Sequence, residues 1–226
     1  MNARIRLSLL VTAVVVLGVV AVLSLARTGT SDDRLATGIA SANSPYVGAT
    51  RPTAPSPEFR LRDQNGKPVS IEDFRGRPVI VTFLFANCED TCPAAARQIA
   101  GALDQLDEPV PTLAISVDPA NDTPEATKRF LNKMRLGSRA QFLLGDEATL
   151  KPVWDAYGIL PQGPEFDHSA YVLVVDAQGL QRVAFPVDKL TSEGLAHDVR
   201  AVQAQPAATP AKPTSPSPVG AEQTSR

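Results

Sequence analysis

Two cysteines occur in the 226 residues, and both stand in one hexapeptide, Cys88-Glu89-Asp90-Thr91-Cys92-Pro93. Residues i and i+4 share one face of a helical turn. The two sulfurs can therefore close a disulfide, which needs Cα atoms about 4.4–6.8 Å apart, or grip one metal ion at sulfur–metal distances of about 2.3 Å. The spacing permits either. Pro93 suits the first helical position, where its missing N–H leaves no bond unmade. A helix N-terminus there favours thiolate over thiol, so the pair is expected to be reactive.

A third group comes from the two histidines. His168 stands in Glu165-Phe166-Asp167-His168-Ser169, immediately before an apolar run. Two thiolates and one imidazole form a soft, three-ligand set suited to copper as Cu+ or Cu2+, with zinc also acceptable. In this reading Cys88, Cys92 and His168 are the metal ligands, while Cys88 and Cys92 also form a redox pair. Asp90 orients the cysteine turn, Asp167 holds the imidazole, and Phe166 covers the site. His197, next to Asp198 and off the apolar stripe of its helix, reads as a solvated surface residue.

The elements that must position these groups follow from periodicity and turn chemistry. Val79–Phe85 is a continuous apolar run typical of a strand covered on both faces, and it delivers the cysteines at its exit. Upstream, 59–62 and 67–70 flank Asn65-Gly66, a hairpin signal. Downstream, Ile99, Leu103 and Leu106 recur at helical spacing. Pro111–Val117 is the next strand. Asp122-Thr123-Pro124-Glu125 then opens a second helix, with Asp122 read as the cap and Asp118-Pro119 ordering the loop near the site. Gln141–Leu144 makes a short strand, and Glu147–Tyr157 a helix whose Trp154 and Tyr157 face the core. Ser169–Val175 and Leu180–Phe185 form a second hairpin across Asp176-Ala177-Gln178-Gly179. A last helix aligns Leu195, Val199 and Val202. This order predicts an α/β, thioredoxin-like fold: a central mixed sheet flanked by helices, with an N-terminal hairpin extension and the cysteines at the carboxyl end of a central strand.

At this point the chain resembles a family over nearly all of 58–202. Phe74-Arg75-Gly76-Arg77-Pro78, Cys88-x-x-x-Cys92-Pro93, Ser116-Val117-Asp118-Pro119-Ala120-Asn121-Asp122-Thr123-Pro124 and Asp167-His168-Ser169 look like the Sco/SenC proteins, with Glu89 where that family usually carries proline. The resemblance implies a membrane-anchored thioredoxin-fold protein. Such a protein binds one copper through Cys88, Cys92 and His168, and serves the dinuclear copper site of the copper-bearing subunit of cytochrome c oxidase or another copper protein. It places the globular domain in the periplasm, on a single pass through a bacterial inner membrane. Some relatives resemble thiol–disulfide reductants instead, so thiol reductant partners and an extracytoplasmic oxidoreductase without a metal role form the alternative. Whether the chain is an enzyme stays open on these motifs.

The rest of the chain bounds these readings. Leu7–Ala26 is free of charge and follows Arg4 and Arg6; twenty residues at about 1.5 Å each span about 30 Å of hydrocarbon. Residues 1–27 are therefore read as a membrane anchor with its N-terminus cytoplasmic. A cleaved signal peptide competes, because Ser24-Leu25-Ala26 has a small-x-small pattern. Residues 28–57, ending in Pro52, Pro55 and Pro57, read as a flexible linker, 58–204 as the folded domain, and 205–226 as a disordered Pro/Ala/Thr/Ser-rich tail. With 22 Lys+Arg against 24 Asp+Glu there is no basic field for nucleic acid. No phosphate loop, Ser/His/Asp signature or zinc-protease helix occurs, and no Thr-x-x-Cys peroxidatic motif.

Overall fold

A computed structural model describes residues 44–161 and 171–205. The proposed anchor, most of the linker, the tail, and the Phe166-Asp167-His168 stretch lie outside the described residues.

The sheet grows outward from β4 (Val79–Leu84), all six residues of which are buried. Beside it, β5 (Thr112–Ser116) runs parallel, pairing Ile80 with Thr112 through Leu84 with Ser116. On the far side of β5, β6 (Ala140–Leu143) is again parallel. On the other flank β7 (Tyr171–Val175) pairs antiparallel with β4, and β8 (Leu180–Pro186) antiparallel with β7. With β1 (Ala49–Pro55) the order is β1-β8-β7-β4-β5-β6. A separate two-stranded hairpin joins β2 (Arg60–Arg62) to β3 (Pro68–Ser70). This is the thioredoxin-like arrangement expected, a mixed sheet with a hairpin extension.

Alternation along β4 divides the core. Ile80 and Leu84 face α1 (Thr91–Leu103), α2 (Pro124–Lys133) and α4 (Ser192–Gln203), where Ala95, Ile99, Phe130, Leu195 and Val199 pack. Val79, Val81 and Phe83 face the opposite layer, built from the hairpin and α3 (Glu147–Tyr157). Trp154 and Tyr157 belong to that second layer as expected, and the Trp154 indole N–H donates to the Ser116 carbonyl at 2.8 Å. The hairpin also protects the β6 edge. Leu144 N–H donates to Arg62 O at 2.7 Å, and Phe142 N–H to Gln64 Oε1 at 2.8 Å. Edge groups that would otherwise template another strand are thereby occupied.

The end of the expected linker is different. Ala49–Pro55 is a strand, β1, antiparallel to β8 through Ala49/Ala184 and Thr50/Val183, and again through Ala54/Gln181 and Pro55/Leu180 after an irregularity. Proline is tolerated on an edge strand because half of its N–H groups have no ladder partner to lose. Just upstream, the fully buried Asp198 of α4 accepts the N–H groups of Val47 and Gly48, each at 2.8 Å. Gly48 is required there, since a Cβ would lie 2.5 Å from Val183 Cγ1. The folded domain therefore begins before residue 58.

Candidate functional site

Parallel strands β4 and β5 end side by side, and the ladder is extended by Val117 N–H donating to Leu84 O at 3.1 Å. Beyond Leu84 the chain turns through Phe85, Ala86 and Asn87 to Cys88. The helix then opens at Thr91, two residues before Pro93. Pro93 still falls within the first turn, where backbone N–H groups have no intrahelical acceptor. One of those N–H groups is used: that of Cys92 donates to Cys88 Sγ at 3.2 Å. The positive end of α1 thus meets the sulfur of Cys88.

The two cysteines are not joined by a disulfide, and they differ in exposure: Cys88 is half-buried and Cys92 fully buried. Burial pushes the Cys92 thiol well above the ordinary thiol range. A hydrogen bond with the Phe85 backbone partly offsets this, and the neighbouring Cys88 and Asp122 add to it. The two sulfurs are therefore unequal: the helix N-terminus meets Cys88, while burial disfavours the thiolate form of Cys92.

The turn is oriented by a residue read from sequence as a helix cap. Thr123 is the true cap of α2, its side chain accepting from Ala126 N–H at 3.2 Å. That leaves the Asp122 carboxylate free to point inward. Oδ1 accepts the Ala86 N–H at 2.7 Å, and Oδ2 accepts the Ser116 hydroxyl at 2.6 Å. Asp122 thereby ties the cysteine turn to the end of β5. Burial raises its pKa to about 6, against the lowering effect of the Ser116 and Ala86 bonds. Asp118 orders this loop as expected: its carbonyl accepts from Asn121 N–H and Asp122 N–H, and its carboxylate from the Asn121 amide. Asp90 occupies the cap position of α1, where its carbonyl accepts from Ala94 N–H at 3.2 Å while its exposed carboxylate makes no capping bond.

Among the described residues no group of three His, Cys, Asp or Glu is placed to hold a metal. The structure brings together Cys88 and Cys92, and the third expected ligand, His168, lies outside those residues with Asp167. His197 is surface-exposed as expected, its Nδ1 2.9 Å from Asp198 Oδ1. A cavity of about 280 Å³ adjoins Cys88, and a larger one of about 840 Å³ lies beside Arg77, Pro109 and Arg200, none of which borders the cysteine cavity.

The family model SCO1/SenC matches residues 48–204. SCO2-like protein RP587 of Rickettsia prowazekii is 28% identical over 142 residues, covering 58% of this chain and 68% of the relative. The structure of Bradyrhizobium japonicum ScoI with copper bound is 29% identical with a TM-score of 0.53, covering 66% of this chain and 99% of that one. Apo Sco1 of Thermus thermophilus, at 24% identity, shares the fold with a TM-score of 0.60 over 71% of this chain and 99% of that one. The family model begins at residue 48, where Asp198 anchors the start of the domain, and spans both cysteines and β8: the chain belongs to the SCO1/SenC family.

Proposed function

We propose that the chain is a membrane-anchored, copper-binding assembly protein that holds one copper ion through Cys88, Cys92 and His168. It passes the ion to the copper-bearing subunit of cytochrome c oxidase, or to another copper acceptor, outside the cytoplasm. The observation that carries this is a pair of thiols in one turn at the carboxyl end of β4, one reachable and one buried. Two soft donors so placed suit a soft cation that must be both held and released. His168 precedes Tyr171, the first residue of β7, by three positions, a reach of about 10 Å at most. Because β7 is antiparallel to β4, its first residue sits at the end of the sheet from which the cysteine turn leaves. Support also comes from relatives: ScoI was solved with copper bound, and a protein of Stutzerimonas stutzeri described as a putative copper-binding protein is 36% identical over 85 residues.

Anaerobic titration of the reduced protein with Cu+ tests this. One equivalent bound by the wild type, lost in Cys88→Ser and weakened at least tenfold in His168→Ala, is the expected result. Undiminished binding by both variants would remove the site.

The unequal exposure of the sulfurs favours a second activity at the same turn. The Cys88 thiolate attacks a partner disulfide and one partner sulfur leaves with the bond's electron pair. Cys92, once deprotonated, then attacks Cys88 in the mixed disulfide and frees the partner. Two electrons pass to the partner, the Cys88–Cys92 disulfide forms, and the protons of the two cysteines end on the partner's thiols or in solvent.

A further inference from the structure

We infer that the cavity beside Cys88 is a docking subsite for an acidic segment of the partner polypeptide, engaged through Arg129 and Lys133 of α2. The inference rests on the proposed function and names the chemistry of the partner that the cysteine turn meets.

The cavity lies between the turn and α2. Its floor is apolar, formed by Phe130, Met134 and Pro93, all buried, and Cys88 stands at its edge. Its charged lining is of one sign. Arg129 and Lys133 are four residues apart and so lie on one helix face, both exposed and both lining the cavity. Among the described residues neither has a salt-bridge partner that would neutralise it at the cavity. The chain as a whole is net −2, so this positive lining is local. The carboxylates of the turn, Glu89 and Asp90, are exposed and do not line the cavity. Cys88 is thus flanked by acid on its own turn, which suits a cation, and by base across the cavity, which suits an anionic partner.

A cavity of about 280 Å³ sits at the lower edge of the roughly 300–1,000 Å³ of small-molecule sites. It accepts one side chain from an extended peptide, with a neighbouring carboxylate reaching Arg129 or Lys133. Exposed cations of this kind act chiefly on encounter and register, with a strength that falls as salt screens them.

The test uses the full chain and three synthetic peptides, each with one cysteine activated as a 2-thiopyridyl disulfide. The residues around that cysteine are glutamate in the first, glutamine in the second and lysine in the third. Cys88 attacks the peptide sulfur, the new disulfide forms, and 2-thiopyridine leaves with the electron pair of the broken bond and is followed by absorbance. At low ionic strength the glutamate peptide should react about tenfold faster than the lysine peptide. That preference should vanish or invert in Arg129→Glu/Lys133→Glu, be intermediate in Arg129→Gln/Lys133→Gln, and shrink with added salt. An order of rates unchanged by either double substitution overturns the proposal. So does a dependence on the two cations for glutathione disulfide but not for the peptides, which would make the occupant a small thiol. The Cu+ titration is read separately on the same variants: retained copper binding with no peptide selectivity sinks the docking surface alone, and lost copper binding in the wild type sinks the proposed function alone.

Discussion

Replacing Asp122 by alanine should loosen the cysteine turn. Its carboxylate accepts two bonds, from the part-buried Ala86 N–H and from the hydroxyl of the fully buried Ser116. A buried donor left without its acceptor costs about 1–3 kcal/mol, so Asp122→Ala should lose roughly 2–5 kcal/mol of stability. Asp122→Asn keeps an acceptor for Ala86 and offers its amide N–H to the Ser116 oxygen, and should cost about 1 kcal/mol. The charge has its own signature. The Asp122 pKa rises from 3.8 to about 6 in the folded protein, roughly 3 kcal/mol at 1.36 kcal/mol per pH unit. Between those values the folded state binds more protons than the unfolded state, so the contribution is full below about pH 4 and is lost as pH rises through about 6. Urea unfolding of wild type and Asp122→Asn across pH 4 to 7 should show the wild type losing stability relative to the variant as pH rises. Parallel pH profiles, or an Asp122→Ala protein as stable as wild type, would refute the role assigned to this carboxylate.

Further outcomes follow from the same geometry. Under limiting alkylating reagent Cys88 should be modified at least tenfold faster than Cys92, because burial both shields the second sulfur and keeps its proton on; peptide mass mapping that finds equal rates would contradict the assigned asymmetry. Asp198→Ala removes the acceptor of the Val47 and Gly48 N–H groups, of which the Gly48 bond is buried, and should cost about 1–3 kcal/mol in denaturant unfolding; an unchanged midpoint would show that the start of the domain is not held by this residue. Gly48→Ala forces a methyl against Val183 and Phe185 and should cost about 1–3 kcal/mol, checked in the same assay. His168→Ala should weaken copper binding while leaving disulfide exchange within a fewfold of wild type; loss of both together would mean that the histidine supports the fold.

The central sheet was legible because its strands are short apolar runs bounded by turn residues. The helices announced themselves through Pro124 after Thr123, and through the spacing of Leu195, Val199 and Val202. β1 was not legible: Pro52, Pro55 and Pro57 have the composition of a linker, and what makes the segment a strand is an edge position plus a carboxylate 150 residues away in Asp198. The cysteine turn could be placed at the exit of β4 from spacing alone, but i, i+4 periodicity says nothing of depth. The contrast between a half-buried Cys88 and a buried Cys92 arises only from packing against Ala95, Ile99 and the β4 face. Asp122 was hidden for another reason. Its local pattern satisfies a capping rule that Thr123 fulfils instead, and its real partners, Ala86 and Ser116, come from two different strand ends. The one sequence clue was two candidate caps in succession before Pro124, of which a helix can use one.

The most direct test is copper K-edge X-ray absorption of the anaerobic one-to-one Cu+ adduct, with wild type and His168→Ala compared. Two sulfur scatterers and one imidazole nitrogen in the wild type, with the imidazole signal lost and both sulfurs kept in the variant, is the predicted result. A shell with fewer than two sulfurs, or identical spectra for the two proteins, would contradict a copper site built from Cys88, Cys92 and His168.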